Sequence, residues 1–185
     1  PTTTKGQQGV KKIVLHVEKL LRGLMKAVQA SESKDDVYAG VGSYDRLFLE
    51  AIRGIDGELA NTAGWGVKDK QAAKNIKDIL EKIRTGSDPN LPNLNQASRE
   101  IMSAASILGN KRGEELKKAF LAPGSPLDIS AKFISGVAKA VKVEADKIQS
   151  PPSTGAGRQS LGPTGQNLVA VAQNPGQVEQ NLGAI

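Results

Sequence analysis

The chain has 185 residues, a net charge of +6, no cysteine, one histidine and six aromatic residues. That length suits one domain with appendages and can bury a core without covalent staples. The lack of cysteine excludes disulfides, thiolate metal sites and cysteine nucleophiles, and a single histidine excludes a multi-histidine metal site.

The aromatics are Tyr38, Tyr44, Phe48, Trp65, Phe120 and Phe133, so the core is expected to be aliphatic. The same scarcity counts against stacking platforms that read single-stranded RNA on a sheet. Charge is uneven. Residues 1–30 hold six cations and one acid, whereas residues 31–63 hold three cations and seven acids. Such asymmetry suits head-to-tail contact between copies or a local anionic partner, and it also arises on an ordinary solvated surface.

The chain opens on a polar stretch, "PTTTKGQQ", with no signal-like apolar core. Residues 1–7 are expected to be a flexible leader, and Pro1 suggests processing or loss of an initiator methionine. No apolar run approaches the roughly 20 residues of a membrane span, so no transmembrane segment is expected. The location is expected to be cytoplasmic or within a virus particle.

A first helix is predicted from about Gln8 to Ala30. Val10, Ile13, Val14, Val17, Leu20, Leu21, Leu24 and Val28 recur at three- and four-residue steps and fall on one stripe. Lys11, Lys12, Lys19, Arg22 and Lys26 fall opposite, interrupted by Glu18, with Leu15 among them. These five cations are the strongest binding feature. They suit phosphates or an anionic membrane surface, or are simply the wet face of a bundle helix.

"SESKDD" and "GVGS" are read as a break, with Ser43 as a cap for a second helix over Tyr44–Leu59. A third helix is predicted over about Lys68–Thr85, stopped by Gly86. The prolines of "SDPNLPN" separate it from a fourth over Leu94–Leu108, and a short fifth covers Gly113–Leu121. In "APGSPLD", Ser125 can cap, Pro126 suits the first helical position and Asp128 has capping-box spacing. The sixth helix then runs to about Gln149, where Pro151 and Pro152 follow. No strand pattern of useful length occurs.

The sixth helix has two apolar stripes. Leu127, Ile134, Val137, Val141 and Ile148 form one; Ile129, Phe133, Gly136, Ala140 and Val143 form the other. A doubly apolar helix is covered on both sides, either by its own bundle or by another subunit.

Residues 150–185 form a Gly/Pro/Gln-rich C-terminal arm, with one cation and one acid after Ser150. Its composition does not support a packed core of its own. Two apolar islands, "NLVAVA" and "QNLGAI", place Leu168, Val169, Val171, Leu182 and Ile185 where a pure linker needs none.

His16 is read as a boundary residue of the first helix, and the acidic pairs Asp35–Asp36 and Glu114–Glu115 as surface charge. "GVGSYD" lacks the third glycine and the strand–helix context of a dinucleotide fingerprint, so it is read as a turn.

The expectation is an all-α bundle of five to six helices over residues 8–149, with an extended, irregular C-terminal arm. No enzyme, cofactor or metal is expected, and no family resemblance rests on specific residues. The expected function is structural: a homo-oligomer in which the arm docks on neighbouring subunits, as in virion coat, connector or virion-internal proteins. Its partners would be copies of itself and other structural proteins. The second stripe of the last helix and the apolar residues of the arm would form the subunit interface. The alternatives are nucleic-acid packaging on the basic face, and an amphipathic-helix adaptor for membranes or partners.

Overall fold

The computed structural model describes residues 1–148. They form α1 (Thr4–Gln29), α2 (Lys34–Gly42), α3 (Tyr44–Leu59), α4 (Val67–Thr85), α5 (Leu94–Ile107), α6 (Gly113–Phe120) and α7 (Pro126–Asp146), with no strand among the described residues. The chain is an all-α bundle, as its periodicity predicts. The arm at residues 150–185 lies outside the described residues.

The two longest helices are central. α1 packs against α2, α3, α4 and α7, while α7 packs against α1, α4, α5 and α6. The apolar stripe of α1 supplies one side of the core, with Val10, Ile13, Val17, Leu21, Leu24 and Val28 fully buried. Ile134, Val137, Ala138 and Val141 of α7 answer it. Phe48 of α3 and Phe133 of α7 meet as a tilted ring pair, 6.1 Å between centroids. Burying large apolar side chains at about 1.5–3 kcal/mol each is the main force holding these helices together.

One polar knot sits inside that core. The Tyr44 hydroxyl lies 3.0 Å from the Leu24 carbonyl oxygen and 2.6 Å from Ser130 Oγ, with both Tyr44 and Ser130 fully buried. It donates to the carbonyl and accepts from the serine. Burial pushes the phenol well above its ordinary range, so it remains neutral. Through this ring α3 ties α1 to α7.

Helix ends follow local chemistry. Ser125 Oγ accepts from Asp128 N at 3.1 Å, Pro126 opens α7, and Asp128 Oδ2 accepts from Gly124 N at 2.8 Å. Gly86 ends α4 with φ of 71°, a left-handed conformation that glycine adopts without strain. Ser43 departs from expectation. It precedes α3, but its hydroxyl donates backwards to the Gly40 carbonyl at 2.6 Å and caps nothing in α3.

Two boundaries differ from the sequence reading. α2 occupies what reads as a break. It is nine residues long and buries only Val37 and Val41, so it shows no stripe. Its start is set by Ser33 Oγ accepting from Asp36 N, with Asp35 and Asp36 in the first turn favouring the positive end of the helix dipole. Gly40 lets α2 approach α1 closely, because a Cβ there would run into the Ala27 carbonyl.

The other difference is at residues 1–7, the expected flexible leader. α1 begins at Thr4, and Thr3 caps it by accepting from Gly6 N at 3.0 Å. The same residues clasp α4. The Pro1 carbonyl accepts from Lys68 N at 3.1 Å, and Thr3 N donates to Asp69 Oδ2 at 2.8 Å. Polar residues are used here as caps and clasps, which an apolar stripe cannot reveal.

Candidate anion-binding face on helix α1

The outward side of α1 inherits its charge from simple spacing. With about 3.6 residues per turn, the apolar stripe turns inward and everything half a turn away faces water. Lys12, Lys19 and Lys26 are exposed, and Lys11 and Arg22 are half-buried along the edge. None of the five forms an ion pair with any described acid. Leu15 stands among them with 54% of its surface exposed.

The one acid of α1 is buried at the edge of this face, four residues before Arg22. Glu18 is 4% exposed and its Oε1 has no hydrogen-bond partner. Burial raises its pKa above the ordinary glutamate value of 4.5, and the positive charge of Arg22 offsets part of that rise. None of the four lysines of this face stands three or four residues from Glu18; Arg22 does.

Beside the face, α1 and α3 enclose a shallow groove of about 260 Å³, lined by His16, Lys19, Arg22, Lys26, Leu47 and Glu50 among others. Glu50 is held by Arg46 at 2.9 Å. His16 closes one end. Its Nε2 lies 3.5 Å from Glu58 Oε1, and Gly54 leaves room for the ring, since a Cβ there would sit 2.5 Å from Nδ1. His16 is thus a seam residue between α1 and α3, in keeping with its place at the stripe edge.

The second stripe of α7 is largely occupied from within the chain. Phe133 is 7% exposed and meets Phe48; Gly136 faces the Pro92 ring, whose Cγ would be 2.8 Å from an added Cβ. Ile129 and Ala140 are half-buried, and Ile129 lines a groove with Leu91, Pro92 and Ala97 from α5 and its approach. Val143 alone of this stripe stands out, 58% exposed. So the close approach that Gly136 permits is used by a proline of the same chain. Leu168, Val169, Val171, Leu182 and Ile185 lie outside the described residues.

Sequence reasoning missed the two buried carboxylates. Asp69 Oδ2 accepts from Thr3 N and Gly66 N, while its Oδ1 is buried without a partner. Its spacing three residues after Gly66, at the start of α4, is the signal that could have found it. Asp69 packs against Gly6, and Glu18 lies twelve residues further along α1, about 18 Å away at 1.5 Å per residue. That separation exceeds what paired acid–base chemistry on one bond uses. Asp35–Asp36 and Glu114–Glu115 fall in the first turns of α2 and α6, where they complement the helix dipoles. "GVGSYD" runs from the end of α2 into α3 and has no strand before it.

Among the described residues, no group of three His, Asp or Glu side chains could hold a metal ion, and no helix is long and apolar enough to cross a membrane. The apolar stripe of α1 is consumed by the core, so this helix offers a bilayer only its basic side and Leu15. No family model, curated protein or solved structure matches the chain.

Proposed function

We propose that this chain is a non-enzymatic structural protein whose folded body lies against nucleic acid through the outer face of α1. The observation that carries the reading is the set of lysines without an ion pair among the described residues, Lys11, Lys12, Lys19 and Lys26, joined by Arg22 beside the buried Glu18. Cations free of ion pairs release condensed counterions from a phosphate backbone, and binding of this kind is steeply salt-dependent and blind to sequence. The test is fluorescence anisotropy with labelled DNA at several salt concentrations. The variant Lys12→Glu/Lys19→Glu/Arg22→Glu should lose binding by more than tenfold while keeping its helical circular dichroism. Unchanged binding by that variant would end the reading.

A second reading concerns assembly and is supported by the apolar islands within an almost uncharged C-terminal segment. In it, residues 150–185 dock on neighbouring copies through Leu168, Val169, Val171, Leu182 and Ile185, near the exposed Val143. Light scattering coupled to size exclusion separates the outcomes. The full chain should be oligomeric and residues 1–149 monomeric; equal masses for both would remove the arm from assembly.

A further inference from the structure

One cation of the first helix stands outside the set already described. Lys5 falls within α1 because the helix begins at Thr4, and it is exposed. Lys5, Lys12, Lys19 and Lys26 are spaced seven residues apart, and all four are exposed. A seven-residue step drifts only about 20° around a straight α-helix, so the four form one nearly straight row. At 1.5 Å per residue the row advances about 10.5 Å per step and spans about 31 Å. None of the four has an ion-pair partner among the described acids. The row starts from a fixed base: the Lys5 stem lies against Gly64, and the clasp of Thr3 on Asp69 pins the helix start.

No aromatic ring stands in this row. Phe48, Phe120, Phe133 and Tyr44 are buried, Trp65 packs against Gly9, and Tyr38 packs against the core from α2. Single strands are held by bases stacked on aromatic side chains as well as by charge, whereas a duplex hides its bases and offers only phosphates to such a face. The row's length matches about nine base pairs at roughly 3.4 Å each.

We infer that Lys5, Lys12, Lys19 and Lys26 form a phosphate track for duplex nucleic acid, with Lys11 and Arg22 as its second edge, and that single strands are the poorer ligand. The inference rests on the proposed nucleic-acid role and narrows its ligand.

The experiment measures binding of the full chain to a fluorescein-labelled 20-base-pair DNA duplex, a 20-base-pair RNA duplex, the 20-nucleotide DNA strand and phosphatidylserine vesicles. Salt is varied from about 50 to 200 mM, the range over which phosphate contacts weaken most visibly. The expected result is at least tenfold tighter binding to a duplex than to the strand. The quadruple Lys5→Gln/Lys12→Gln/Lys19→Gln/Lys26→Gln should flatten the log–log salt slope by about 3 to 4, at about 0.9 for each phosphate left without its lysine. A charge-matched control, Lys132→Gln/Lys139→Gln/Lys142→Gln/Lys147→Gln, should keep the slope. DNA and RNA duplexes binding alike identifies the backbone as the ligand; a preference for either still supports the track.

Equal or tighter binding to the strand overturns the duplex assignment while leaving the nucleic-acid reading intact, provided the Lys12/Lys19/Arg22 reversal still abolishes it. An equal loss of slope in the control variant overturns the track. Binding to vesicles with none to nucleic acid overturns both.

Discussion

α1 and α7 are the two central helices, and both bury one side against the other. Their wet sides differ. On and just after α7, Lys132 pairs with Asp128 at 3.1 Å, Lys142 with Asp146 at 2.9 Å and Lys147 with Glu144 at 2.8 Å. On α1 the lysines face solvent unanswered. The cause lies in spacing: acids stand three or four residues from Lys132, Lys142 and Lys147, which is where helix neighbours meet, whereas Lys139 and every lysine of α1 lack one. The salt bridges of α7 are individually worth little, at about 0.2–1 kcal/mol. Their effect is to cancel a field that α1 leaves standing. One central helix therefore presents a wet side on which three of four lysines are answered by acids, and the other a side on which no lysine is, while both bury their remaining side in the core.

The comparison can be broken where the two helices are tied together. Tyr44→Ala should cost the most, about 3–5 kcal/mol from the cavity alone, with two buried polar partners released as well. Urea unfolding followed by circular dichroism would measure it. Tyr44→Phe keeps the ring and should cost about 1–3 kcal/mol, because Ser130 Oγ is left buried without its partner. If Tyr44→Phe were neutral, the knot would be filling and not fastening.

Asp128 is next. Its carboxylate accepts from Gly124 N and faces Lys132, and these contacts hold its pKa below the ordinary value of 3.8. A depressed carboxylate stabilises the fold above its unfolded pKa and loses that contribution as pH falls through the folded value. Asp128→Asn should therefore be less stable than the parent near neutrality by about 0.5–1.5 kcal/mol, the usual net range for one hydrogen bond. The two should converge in thermal melts as the pH falls below 3.8 and through the depressed folded value.

Glu18 tests the opposite sign. Its raised pKa means that ionisation opposes folding, so Glu18→Gln should melt higher than the parent at neutral pH. The gain should vanish below the ordinary value of 4.5, where both side chains are neutral. A melting temperature that is lower at pH 7 would show that the buried carboxylate has a partner worth more than its desolvation. The smallest effect belongs to the rows themselves. Lys19→Gln on α1 and Lys132→Gln on α7 should each change stability by less than about 0.5 kcal/mol. They should differ in ligand binding and not in melting.

Much of the fold can be read from the chain because its helices obey stripes and stops. Gly86, the prolines of "SDPNLPN" and the Ser125–Pro126–Asp128 cap end or begin helices where expected. α2 escaped because nine residues with two buried valines carry no period. The clasp of residues 1–3 on α4 escaped because Thr3 and Asp69 are 66 residues apart and their bond is not periodic. The basic face of α1 is legible residue by residue, yet its reach to Lys5 depends on where the helix starts, which that clasp decides. Which apolar face of α7 meets its own chain was likewise closed to pattern reading. Pro92 reaches Gly136 from a loop whose path no stripe describes.

The ring of Trp65 rests on Gly9, within the second turn of α1, and it is the protein's single tryptophan. Its fluorescence therefore reports on the packing of the 60–66 loop against the N-terminal third of α1. Peeling that end of the helix from the 60–66 loop would bare the indole to water and shift its emission to the red before the remaining helices melt. The protein thus carries its own optical gauge for local opening at the root of the lysine row. Polyanion binding that left the emission unchanged would mean that the track is used as a rigid rod.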